Sequence, residues 1–219
     1  MGIFDKIYND KEIRDRYLEV EKYEDLNNGR AYHNFSHVNN VVGTVEALFK
    51  DLGYDDEMIE RAKIAALLHD TGANVGKDGH AYRSYLYALE YLKKYNLDSD
   101  EDILEAIRIH SNGFDTDNMI ALAIILADKL DVKSNRISDV GRKVIGNRQY
   151  QYVNDIGINI DNSKLVIDFI IDDGVDLIEL EDYYFTTKIF NAIRSFCKRV
   201  DLVPVVLINN KKWDKFYEE

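Results

Sequence analysis

The chain has 219 residues, enough for one sizeable domain or for a main domain with a small appendage. A hydrophobic share of 46% with a single proline is the composition of a globular, helix-rich protein, and the lack of any run of about 18 apolar residues argues against a membrane span. A formal net charge of -12 argues against a nucleic-acid polymer as partner, since phosphate neutralisation needs clustered Lys and Arg. It leaves open a small phosphorylated substrate, because bound divalent cations reverse the local field inside a cleft.

The N-terminal segment MGIFDKIYNDKEIRDRY is charged and lacks the apolar core of a signal peptide, and Lys6 stands where a myristoylation pattern has Ser or Thr. Cys197 is the one cysteine, so no intramolecular disulfide can form. These features lead to the expectation of a cytoplasmic protein.

In chain order, residues 10–26 mix charges with apolar residues at helical spacing and predict a surface helix, broken at Asn27-Asn28-Gly29. Residues 36–50 predict a second helix, with Ser36 as N-cap and Leu52-Gly53 as its end. Residues 56–70 predict a third, almost wholly apolar towards its end, which delivers His69 and Asp70 to the interior. The loop Thr71–Gly79 carries three glycines, and a tyrosine-rich helix runs from His80 to about Tyr95. Its tyrosines at 82, 85, 87 and 91 read as packing. Ser99 is the predicted cap of a helix from Asp100 to His110, and Thr116 or Asp117 the start of a central buried helix through MIALAIILADKLDV.

The character changes near residue 148. Residues 150–160 and 164–171 are β-like, with Asp161-Asn162-Ser163 as a hairpin turn, and the hairpin should present Ile158, Ile160, Val166 and Phe169 among its apolar residues. An amphipathic helix over 182–200 and a strand over 202–208 follow. The prediction is therefore a mostly α protein: a helical core over 1–148 and a small α+β appendage over 149–219. The appendage has no histidine, and its acids (Asp155, Asp161, Asp168, Asp172, Asp173 and Asp176) fall on strands and turns that solvent would cover, so it should supply no metal ligand. A hairpin is marginal alone, which favours association of two chains through this part.

The chemistry lies in the core. The five histidines (33, 37, 69, 80 and 110) all precede residue 111, a clustering that packing alone does not explain, since a helical bundle can point them into one site. His69-Asp70 ends the apolar run IAALL, and Asp128 sits inside AIILADKLDV. A buried carboxylate without a partner is strongly unfavourable, so the missing partners are read as cations.

At these residues the chain resembles a known family. The order His37, His69-Asp70, Asp128 is similar to the H…HD…D signature of the HD superfamily of metal-dependent phosphohydrolases. YHNFSH (32–37) resembles a segment of its cyclic-nucleotide phosphodiesterases, which implies His33 as general acid and His37 as metal ligand. ADKLD (127–131) resembles the metal-binding helix of bacterial HD hydrolases. His80 and His110 resemble the two extra histidines of the two-metal branches. The resemblance covers roughly residues 30–135. No GYP segment is present, which makes cyclic di-GMP an unsuitable substrate, and no glutamate follows His69-Asp70 in the loop.

The resemblance implies an HD-domain helical bundle holding two divalent transition-metal ions (Fe, Mn, Co, Ni or Zn, with Mg admitted). Asp70 would bridge them, with His37, His69 and Asp128 on the first and His80 and His110 on the second. Arg30, Lys77 and Lys129 are candidates for the phosphate oxygens, a solvated surface cation being the competing reading for each. The implied activity is hydrolysis of a phosphomonoester or phosphodiester, a nucleotide among the candidates. The alternatives are a di-iron oxygenase on the same ligand set and a non-catalytic metal-binding sensor or scaffold.

Overall fold

A computed structural model describes residues 2–218. The chain separates into two compact units. One comprises the chain up to Asn28 together with Tyr32–Asp128; the other comprises Gly29–Ala31 and the chain from Lys129 onward.

The first unit is built from α1 (Ile3–Tyr8), α2 (Lys11–Leu26), α3 (Phe35–Asp51), α4 (Asp56–Leu68), α5 (His80–Tyr91), α6 (Glu101–Ile109) and most of α7 (Met119–Leu130). Helix α2 buries Ile13, Tyr17, Val20 and Glu24, one stripe at helical spacing. The helix starts differ from expectation in a consistent way. Asn34, not Ser36, caps α3, its Oδ1 accepting from the N–H groups of Ser36 at 3.1 Å and His37 at 3.2 Å. Asp100, not Ser99, caps α6 by accepting from Ile103 N–H at 3.2 Å, while Arg61 holds the same carboxylate at 2.7 Å. Helix α7 starts at Met119 rather than at Thr116 or Asp117, with Asn118 Oδ1 accepting from Ala121 N–H at 3.0 Å. In each case an Asn or Asp is placed to accept from a first-turn N–H, and such acceptors cap strongly.

Helix α7 is buried around its whole circumference, from Met119 to Leu130. Helix α5 is shorter than expected and passes into a 3-10 turn over Leu92–Tyr95, stopped by Asn96 at φ 57°. Its tyrosines are mixed: Tyr91 is buried and donates to Asp10, whereas Tyr82 is exposed.

In the second unit the chain has no α-helix between Leu130 and Leu177; 3-10 turns at Ser134–Arg136, Gly141–Lys143 and Asn147–Tyr152 lead into the sheet. Arg136 ties the first of these turns by donating to the Asp131 carbonyl at 2.6 Å. The contact boundary thus falls between Asp128 and Lys129, not at residue 148. The sheet has the order β1-β2-β3-β4. β1 (Val153–Asp161) pairs antiparallel with β2 (Lys164–Ile171), which pairs parallel with β3 (Val203–Ile208); β4 (Lys211–Lys212) is a short antiparallel edge. Asn162 takes φ 54° in the hairpin turn.

Leu165, Ile167, Phe169 and Ile171 are the buried positions of β2, facing Ile160, Ile158 and Ile156 across the ladder. Val166 alternates with them and is half-buried on the opposite face. The helical stretch before β3 is two helices, α8 (Leu177–Asp182) and α9 (Tyr184–Val200), broken at Tyr183. Helix α9 buries Ile189, Phe190, Ile193, Phe196 and Cys197, and burial pushes the Cys197 thiol up to about 12, as suits a core thiol. No helix of the described residues is long and apolar enough to cross a membrane.

Candidate metal centre

Helix ends deliver the site. His37 lies in the first turn of α3, His69 is the C-cap of α4 with Asp70 next to it, His80 opens α5, His110 is the C-cap of α6, and Asp128 comes from the last turn of α7. All six are buried, Asp70 at 1% exposure and His69 at 0%. Their ligand atoms form two groups, His37 with His69, Asp70 and Asp128, and Asp70 with His80 and His110; within each group the atoms lie within 4.8 Å of one another. The two groups share Asp70.

The Asp70 carboxylate divides between them. Its Oδ2 faces His37 Nε2 at 3.6 Å and His69 Nε2 at 3.4 Å. Its Oδ1 faces His80 Nε2 at 3.1 Å and His110 Nε2 at 3.5 Å. His37 Nε2 also lies 3.3 Å from Asp128 Oδ1. Both Asp70 oxygens and His69 Nε2 are buried with no hydrogen-bond partner. Orphaned buried acceptors of this kind are rare and costly, and a bound divalent cation would satisfy them. The residues present therefore fit metal ions.

Three imidazoles are set by one device. His69 Nδ1 lies 2.7 Å from the Ala66 carbonyl, His80 Nδ1 2.6 Å from that of Lys77, and His110 Nδ1 2.8 Å from that of Ile107. A carbonyl can only accept, so Nδ1 carries the proton and Nε2 presents its lone pair to the centre. For His69 and His110 the accepting carbonyl is one that the end of its own helix leaves unpaired. Burial pushes His110 down to about 4, against the opposing pull of Asp70, which keeps it a neutral ligand. For Asp70 burial favours the protonated form, but the Lys77 ammonium leads the opposing influences and the carboxyl is held well below the usual carboxylate range.

Of the candidates outside the ligand set, Lys77 reaches the site, its Nζ 3.6 Å from Asp70 Oδ1 with the side chain 43% exposed. His33 packs edge-on against His37, ring centroids 5.6 Å apart. Arg30 belongs to the second unit, where it faces Tyr183. Lys129 belongs there too and is buried, so its reading as a solvated surface cation is overturned.

Two residues were missed from the sequence. Glu24 is buried and grips His33 twice, through Nδ1 and through the backbone N–H at 2.9 Å. Its signal was its place on the apolar stripe of α2, where a glutamate needs a partner. Ser111 Oγ lies 3.4 Å from His80 Nε2 and 3.5 Å from His110 Nε2; its position just after a helix end carried no such signal.

The family comparison bears on this segment. The model of the HD domain family matches residues 34–135, the stretch that carries all six candidate ligands. No curated protein matches the chain. A solved structure of a predicted HD superfamily hydrolase from an uncultured Thermotogales bacterium is similar at 22% identity and a TM-score of 0.45, covering 65% of this chain and 88% of that one. The match assigns an HD domain to residues 34–135, a little under half of the chain.

Proposed function

We propose that this protein is a metal-dependent phosphohydrolase acting on a phosphomonoester or phosphodiester, with nucleotides among its candidate substrates. The observation that carries the reading is the divided Asp70 carboxylate, each oxygen facing a separate set of imidazoles. His37, His69, Asp70, Asp128, His80 and His110 would hold divalent ions, which would supply activated water near neutral pH and stabilise the charge of the phosphoryl group in transfer.

The chain's own groups do the rest. His37, His69 and Asp128 hold one side of Asp70 and His80 and His110 the other, in rotamers set by the Nδ1 bonds to backbone carbonyls. His33 delivers a proton from Nε2 to the leaving oxygen. Glu24, on its Nδ1, orients the ring and stabilises the imidazolium that does so. Lys77, whose half-exposed side chain reaches Asp70, binds a phosphate oxygen.

The test is metal analysis of protein purified without chelator, joined to a panel of phosphomonoesters, phosphodiesters and nucleotides. The expected result is about two ions per chain and phosphate-ester turnover that chelation abolishes and metal restores. A coloured iron protein that consumes oxygen and releases no phosphate would establish the oxygenase instead. A fully loaded protein that turns over nothing would leave a sensor or scaffold.

A further inference from the structure

We propose that Arg83 is the positioning residue for the His80 half of the centre, an assignment that rests on the two-ion reading above. The loop from Thr71 to Gly79 must fold back for His80 to face Asp70, and one guanidinium holds it there. Arg83 Nε donates to the Gly72 carbonyl at 2.9 Å, Nη1 to the Asp78 carbonyl at 2.6 Å and Nη2 to the Gly76 carbonyl. A planar fork of five N–H groups can serve three acceptors in fixed directions, which an ammonium on a flexible stem cannot.

These bonds bracket Lys77. Its carbonyl, between those of Gly76 and Asp78, is the one that orients His80 through Nδ1 at 2.6 Å, and its ammonium faces Asp70. Gly76 at φ 112° and Gly79 at φ 68° give the loop a backbone that side chains disfavour and that needs holding. At the loop's start, Gly72 N–H donates to the buried Ser84 hydroxyl at 2.8 Å, so the first turns of α5 grip the loop at both ends. Arg83 lies one turn along the same helix from His80. His80 and the clamp on the loop that orients it are thus carried by one helix.

An arginine that merely stabilises the fold would weaken both ions alike; a clamp on His80 weakens one. The experiment is titration of the chelator-stripped full chain with Mn2+, comparing wild type with Arg83→Ala, Arg83→Lys, His80→Ala and the His80→Ala/Arg83→Ala pair, with hydrogen exchange read over residues 71–79. Arg83→Ala should leave the tighter ion unchanged and weaken the second by about 10–100-fold, the usual effect of losing an outer-shell partner. Exchange in the loop should rise. Arg83→Lys, which keeps the charge without the fork, should follow Arg83→Ala, and it reads the same point if the alanine variant does not fold. The paired variant should lose no more than His80→Ala alone. Equal weakening of both ions, or no change in either, overturns the assignment. Wild type that binds a single ion overturns the two-ion reading itself, and the assignment with it.

Discussion

The Nε2 atoms of His80 and His110 face each other at 2.9 Å while both Nδ1 atoms are already committed to backbone carbonyls. In the neutral tautomers these are two lone pairs at hydrogen-bond distance with no proton between them, and Asp70 Oδ1 lies beside both. Ser111 can donate a single proton to the pair. Burial opposes protonation of His110, so the arrangement is repulsive by itself and becomes favourable around a cation.

Metal stoichiometry follows from that geometry. Asp70→Ala should remove ions from both sides of the centre, while His80→Ala or His110→Ala should lower the content from about two to about one per chain. Elemental analysis after dialysis checks this, and an Asp70→Ala variant that keeps both ions would sink the bridging assignment.

Acid should destabilise the metal-stripped protein in a defined window. The His110 value falls from 6.5 unfolded to about 4 folded, so the folded state favours the neutral ring. That stability is present in full above pH 6.5 and is lost as pH falls from 6.5 towards about 4, an effect on the order of 3 kcal/mol. Asp70, held below its ordinary value, adds a loss only at still lower pH. Thermal melts of wild type and His110→Gln between pH 7.5 and 4.5 check the point: the slope should be shallower in the variant, and equal slopes would count against it.

The Glu24–His33 pair should separate proton transfer from metal binding. His33→Ala is expected to lower kcat by about 10²–10⁴ with metal content unchanged, and Glu24→Gln to lower it by a smaller factor. Loss of metal in either variant would assign the pair to structure.

Gly72 should tolerate no side chain. A Cβ there would lie 2.4 Å from Ser84 N and 2.5 Å from the His80 carbonyl oxygen, backbone atoms of α5 that cannot swing aside. Gly72→Ala should cost roughly 1–3 kcal/mol in denaturant unfolding and weaken the second ion, because the strain falls on the turn that carries His80.

Association of two chains through the second unit remains a proposal. That unit exposes Ile145 at 74% and Ile178 at 73%, side chains that are usually covered. Sedimentation of the full chain should give a dimer that Ile178→Asp or Ile145→Asp weakens; a wild-type monomer would end the idea.

What the sequence by itself determined was local or compositional. Helical periodicity located α2 to α7 to within a few residues, and the clustered histidines with the resemblance of His37, His69-Asp70 and Asp128 to the HD signature named the six candidate ligands. Such signals survive in a sequence because helix formation and burial depend on residues three to four apart. The tertiary structure decided everything that depends on direction. It split the Asp70 oxygens between two sets of imidazoles, brought Glu24 back onto His33, and set Arg83 across the glycine loop. It also placed Arg30 and Lys129 in the second unit. Each of these rests on where a chain reverses at a turn, and small differences in loop dihedrals decide which side chains then meet.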